Sequence, residues 1–145
     1  KRRNQNMKGN DFMAWVLRSP FHGMLSNGIM LITVTGRKTG KEYTTPVGYY
    51  IENGNLWVIT SRERKWWRNL HGGAQVKLLL KRKLVKALAE PELDEKSVET
   101  RMYEYLRHIP QAAPRMKIRM EDGKPNPQDM VATAKDRLFV KVTIS

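Results

Sequence analysis

Residues 35–46 read TGRKTGKEYTTP and lie between two apolar runs, GIMLITV (28–34) and VGYYI (47–51). The β-branched content of the flanks predicts two strands, with the basic, glycine-containing stretch as the loop that joins them. Arg37, Lys38 and Lys41 give that loop three cations, and Gly36 and Gly40 let its backbone approach a partner closely. Arg and Lys offer charge-assisted bonds to phosphate, so the pattern points to an anion cradle, with a solvated hairpin end as the plain alternative. Thr44 and Thr45 add hydroxyl donors. Pro46 is expected to interrupt strand pairing where a ligand would take the freed backbone bonds.

Working outward, EYTTPVGYYI (42–51) reads as a strand broken or bulged at Pro46 and Gly48, and Asn53-Gly54 as a tight hairpin turn into NLWVIT (55–60). RKWWRNL (64–70) predicts one or two helical turns closed by Gly72-Gly73. AQVKLLLKRKLVKALAE (74–90) predicts two strands around a basic turn at 81–83. DEKSVETRMYEYLRHI (94–109) places Val98, Met102, Tyr105, Leu106 and Ile109 at helical spacing behind acidic first-turn residues. EDGKPNPQD (121–129) reads as loop. DRLFVKVTI (136–144) alternates Leu138, Val140, Val142 and Ile144 on one face of a half-buried final strand. Near the start, GNDFMAWVLRSP (9–20) predicts a short helix with Phe12, Trp15 and Val16 on one face, and residues 1–10 are expected to be flexible. About six short antiparallel strands with inserted helices give a small barrel with peripheral helices, an α+β single domain over 1–145.

The formal net charge of +13 calls for an anionic partner: nucleic acid, acidic lipid or a phosphorylated cofactor. The charge is uneven. Six of the fourteen acidic residues fall between Glu90 and Glu104, whereas residues 61–83 carry eight basic residues against Glu63 alone. The positive field therefore gathers near the opening motif. Absence of cysteine excludes disulfides, thiolate metal sites and a cysteine nucleophile, and is consistent with a reducing, cytoplasmic compartment. No apolar run is long enough to span a bilayer and no signal-peptide pattern opens the chain; its start at Lys1 rather than Met points to a truncation.

Most catalytic motifs fail on spacing. Residues 36–42 have three residues between the glycines, Glu42 after the lysine and a strand after the loop, so they are not a nucleotide phosphate loop. No Gly-rich turn opens a helix as a dinucleotide site requires. His22, His71 and His108 stand alone, without a second ligand at helix-face spacing, and no metal is expected. Ser61 lacks an identifiable base. Trp66-Trp67 beside Arg68-Asn69 offers either a stacking surface for a flat heterocycle or simple packing of the barrel end.

The ordered set Gly-Arg-Lys-Thr-Gly, Thr-Pro, Thr-Ser and Trp-x-x-Asn-Leu, separated by strand-length gaps, resembles the deazaflavin-dependent nitroreductase family over roughly residues 12–90. The resemblance implies a split β-barrel binding coenzyme F420, a deazaflavin with a phosphodiester and an oligoglutamate tail. It places Arg37, Lys38 and Thr39 at the phosphate and tail. It lines the cofactor with Tyr43, Thr44, Thr45, Pro46, Val47 and Gly48, and brings Thr60, Ser61 and Arg62 to the ring system. Trp66, Trp67, Arg68 and Asn69 complete the set. The implied chemistry is hydride transfer from reduced cofactor to an unsaturated, quinone-like or nitro-type small-molecule acceptor, with Ser61 as the candidate catalytic hydrogen-bond donor. Two features depart from the family: the loop before the tryptophans is only RERK (62–65), and residues 100–136 match no substrate-contact pattern.

Three other readings compete. The same barrel takes FMN in many relatives, since both cofactors present a flat ring and a phosphate. A non-enzymatic nucleic-acid binder fits the charge but not the four motifs, and is disfavoured. Peripheral attachment to acidic membrane through the N-terminal helix is compatible with catalysis on a lipid quinone. Split barrels often pair, so a homodimer is compatible with all of these.

Overall fold

In the computed structural model, which describes residues 28–80 and 82–144, the run Ile29–Thr35 forms strand β1 and Glu42–Glu52 forms β2. They pair antiparallel, with Ile29 opposite Gly48 and Thr35 opposite Glu42. The break expected at Pro46 and Gly48 does not occur; β2 keeps register with β1 through both. The reason lies on its other side. β2 pairs with β3 (Asn55–Ser61) only from Gly48 onward, so Pro46 has an open flank on which a missing N–H costs no ladder bond. Asn53 and Gly54 turn β2 into β3 with φ of 54° and 80°, the left-handed pair that a primed two-residue turn demands.

After β3 come β4 (Ala74–Leu80), β5 (Lys83–Glu92) and helix α1 (Glu95–His108). A small hairpin of β6 (Met120–Glu121) and β7 (Lys124–Pro125), helix α2 (Pro127–Ala134) and β8 (Arg137–Ile144) complete the chain. Six strands close an antiparallel barrel in the order β1-β2-β3-β8-β5-β4. Alternation fills it: Ile32, Val47, Val58, Leu78, Ala87 and Val140 point inward and are buried.

Helix α1 begins at Asp94, whose carboxylate accepts the Ser97 N–H at 3.0 Å. Its Val98, Met102, Tyr105 and Leu106 pack, with Tyr50, Trp57 and Phe139, into a second buried cluster on the outer face of β2, β3 and β8. Two expectations change here. Residues 127–134, read as loop at their start, form α2: Asn126 caps it by accepting the Asp129 N–H, and Pro127 takes the first helical position. Strand β8 is buried on both faces near its start, with Leu138 and Val140 inward and Phe139 under the helices, while Ile144, still paired with Ala87 of β5, emerges exposed beyond the last pair with β3.

The helix expected at 9–20, the flexible 1–10 segment, the membrane contact assigned to them, His22, and Lys81 of the β4–β5 turn lie outside the described residues. No helix among the described residues is long and apolar enough to cross a membrane.

Candidate functional site

β3 and β4 are not neighbours in the barrel, so residues 62–73 must cross its mouth from one side to the other. The crossing segment coils into a short 3-10 helix, Trp66–Leu70, and drops Trp66, Trp67 and Leu70 into the barrel core as a plug. Both tryptophans are buried, at 7% and 6% exposure. Neither is the open stacking platform that a nucleic-acid reading requires. Because β1 lies beside β4, the same crossing brings Arg64, Lys65, Arg68 and Asn69 against the β1–β2 loop.

Between the two segments lies a cleft of about 740 Å³. Nine residues expected at the site line it: Arg37, Lys38, Thr39, Tyr43, Thr44, Thr45, Trp66, Arg68 and Asn69. Gly36 of the same loop joins them, as do Arg64 and Lys65, which the sequence reading did not assign. The signal for the two cations was present in the basic density of 61–83, but only the crossing connection turns it toward the cleft. Pro46, Val47, Gly48, Thr60, Ser61, Arg62 and Trp67 are not among the lining residues.

Several of these outlying residues have visible structural duties. Arg62 donates to the carbonyls of Arg137 at 2.7 Å and Leu93 at 2.6 Å. Ser61 closes β3 opposite Arg137, and its Oγ accepts the Glu63 N–H at 3.4 Å. Val47 points into the barrel core, and Thr60 is buried.

The cleft's electrostatics are one-sided. Among the described residues no carboxylate lines it, and Lys38, Arg64, Lys65 and Arg68 make no ion pair. Glu42, the acid nearest the loop, is taken up by Lys77 at 2.8 Å. Arg64 donates to Thr45 Oγ1 at 3.1 Å, and the Thr33 and Thr44 hydroxyls bond at 2.8 Å. Tyr43, 45% exposed, and Trp66 supply aromatic wall. The β1–β2 loop is held to the crossing segment by Arg37. Its N–H donates to Asn69 Oδ1 at 3.0 Å, its Nε to the Asn69 carbonyl at 3.1 Å, and its Nη2 to the His71 carbonyl. Among the described residues, no group of three His, Cys, Asp or Glu is placed to hold a metal ion.

This donor set fits a polyanion carrying a flat ring: cations and hydroxyls without competing carboxylates, beside an aromatic surface. The fold has solved counterparts. A putative 5-nitroimidazole antibiotic resistance protein from Bacteroides thetaiotaomicron matches with a TM-score of 0.54 at 12% identity, over 84% of this chain and 75% of that one. A putative pyridoxamine 5'-phosphate oxidase from Listeria innocua matches at 0.52 and 12%, over 94% and 93%. An F420 reductase matches at 0.50 and 9%, over 88% and 94%. No curated protein sequence matches significantly. The barrel is thus a split barrel, the fold shared by flavin and deazaflavin oxidoreductases.

The family model of F420H(2)-dependent quinone reductases matches residues 20–116, two-thirds of the chain, and the chain belongs to that family. It is an oxidoreductase dependent on coenzyme F420, which decides between the deazaflavin and FMN in favour of the former.

Proposed function

We propose that the cleft over the barrel mouth holds coenzyme F420 and that the acceptor is a quinone-type molecule. One observation carries the assignment of the site: four cations besides Arg37 meet there without a facing carboxylate. Lys38, Arg64, Lys65 and Arg68 attract the phosphodiester and tail, while the Thr39, Thr44 and Thr45 hydroxyls offer directional bonds. Tyr43, half exposed, provides the aromatic surface against which a ring system rests, and the buried Trp66 backs the cleft from the barrel core. Pro46 and Gly48 of the adjoining strand, and Thr60, Ser61 and Arg62 beyond it, belong to the surrounding framework in this reading.

When bound in its reduced form, the coenzyme supplies the hydride. The chain's tasks are to hold that donor, exclude water from its reactive face and leave room for the acceptor. A quinone gains both electrons with the hydride and takes one proton from solvent to become a hydroquinone, so no protein acid is needed for the proton balance. The family's name favours the quinone over a nitro-type acceptor. The test is to follow reoxidation of the reduced coenzyme by absorbance with a soluble quinone and with a nitroaromatic in parallel. Faster turnover of the quinone is expected. A preference for the nitroaromatic would reassign the acceptor, and turnover of neither would remove both.

A further inference from the structure

We propose that Arg37 and Asn69 form a positioning lock that sets the basic loop against the mouth-crossing segment, rather than binding the cofactor's anion themselves. The inference rests on the coenzyme-binding reading above and divides the labour within it. Arg37 stands in the most cation-rich loop of the chain, yet its Nε–Nη2 edge, the fork that would grip a phosphate, donates to the carbonyls of Asn69 and His71. Asn69 is committed on both ends of its amide: Oδ1 accepts the Arg37 N–H at 3.0 Å and Nδ2 donates to the Trp66 carbonyl at 3.1 Å.

The loop is otherwise closed on itself. Gly36 donates to the Lys41 carbonyl at 2.7 Å and Gly40 to the Gly36 carbonyl at 2.9 Å. Thr39 Oγ1 accepts the Lys41 N–H at 3.2 Å. A self-contained loop keeps its shape but has no fixed place relative to the 3-10 helix unless something ties the two together. Arg37 supplies three of those ties, and they reach the last turn of the helix that carries Arg68. Lys38 on one side and Arg68 on the other thereby face the same cleft at a fixed separation. Such pre-organisation saves the ordering cost that binding would otherwise meet.

A lysine at position 37 keeps the charge and loses the fork, which separates a positioning role from an electrostatic one. The full chain is titrated with oxidised coenzyme F420 by fluorescence at several salt concentrations, as wild type, Arg37→Lys, Lys38→Gln and Arg68→Gln. Hydrogen exchange of the Gly36 and Gly40 amides is read on the same proteins without coenzyme. Losing charged hydrogen bonds that align the site should weaken Arg37→Lys by about tenfold at every salt concentration, with the salt slope unchanged. Its loop amides should exchange faster. Lys38→Gln and Arg68→Gln should flatten the salt slope and leave exchange alone.

Coenzyme binding by Arg37→Lys within about twofold of wild type, beside a wild type that binds, would overturn the lock alone. A flattened slope in Arg37→Lys would do the same by making the residue electrostatic. Failure of the wild type to bind at any salt would remove the coenzyme site, and the lock's purpose with it. Should Arg37→Lys not fold, Asn69→Ala, which deletes one acceptor of the lock and keeps all charges, carries the same expectations.

Discussion

The phenolic oxygen of Tyr105 lies 2.6 Å from the point a Cβ would occupy on Gly48. Helix α1 is therefore seated directly on the backbone of β2. Gly48 leaves room for a buried tyrosine, a duty separate from lining a cofactor. Gly48→Ala should cost about 1–3 kcal/mol by overpacking, measured by denaturant unfolding. Removing the colliding hydroxyl in Gly48→Ala/Tyr105→Phe should recover part of that loss. Purely additive effects would show that the contact does not govern the site.

Arg101 ties the same helix to the barrel through a different chemistry. Its guanidinium lies over the Trp57 ring at 3.2 Å, donates to Glu92 at 3.0 Å and pairs with Glu52 at 3.3 Å. Arg101→Lys keeps the charge but not the planar stack, and should lose about 1–2 kcal/mol of stability. None of these partners lines the cleft, so coenzyme affinity should not change. A loss of affinity at unchanged stability would contradict that separation.

Burial raises the pKa of Tyr49, of Tyr50 and of Tyr105 above the ordinary phenol value. The folded state thus binds these protons more tightly than the unfolded chain. Their contribution is complete below the unfolded value of about 10 and is lost as pH rises through the higher folded values. Melting temperature should fall steeply above about pH 10, and less steeply in Tyr105→Phe. An identical alkaline limb in wild type and variant would show that Tyr105 does not contribute.

The opposite sign holds at Asp129. Its side-chain hydrogen bonds from Arg119, at 2.9 and 3.0 Å, and the Arg119 N–H hold its carboxyl below the ordinary range. The stability it adds is present above the unfolded value of about 3.9 and fades as pH falls through the lower folded value. Asp129→Asn should make stability less sensitive to acid in that window, as followed by melting at pH 2 to 5. Unchanged acid sensitivity would show that the clamp adds nothing to stability.

Local rules made much of the barrel readable. Asn53-Gly54 announces its turn because few residues adopt two successive left-handed conformations, and α1 announces itself by its acidic start and the spacing of Val98, Met102 and Tyr105. What escaped depends on contacts distant in sequence. Pro46 resembles a strand breaker until the pairing of β2 with β3 is seen to begin only at Gly48. Asn126-Pro127 resembles a turn, although the same pair caps a helix. Arg64 and Lys65 face the cleft because β3 and β4 lie apart in the barrel, which no local pattern encodes. Arg37 was legible as a cation but not as a donor to Asn69 and His71, more than thirty residues away.

Equilibrium binding of oxidised coenzyme F420 and of FMN to the full chain, compared with Lys38→Gln/Arg64→Gln/Arg68→Gln, tests the cleft most directly. The deazaflavin should bind at least about tenfold tighter than FMN, since its anionic tail meets charges that FMN cannot reach. The triple variant should lose more than about a hundredfold of that affinity while keeping the wild-type melting temperature. Equal binding of the two cofactors, or full deazaflavin affinity in the triple variant, would contradict the assignment of this cleft as the coenzyme site.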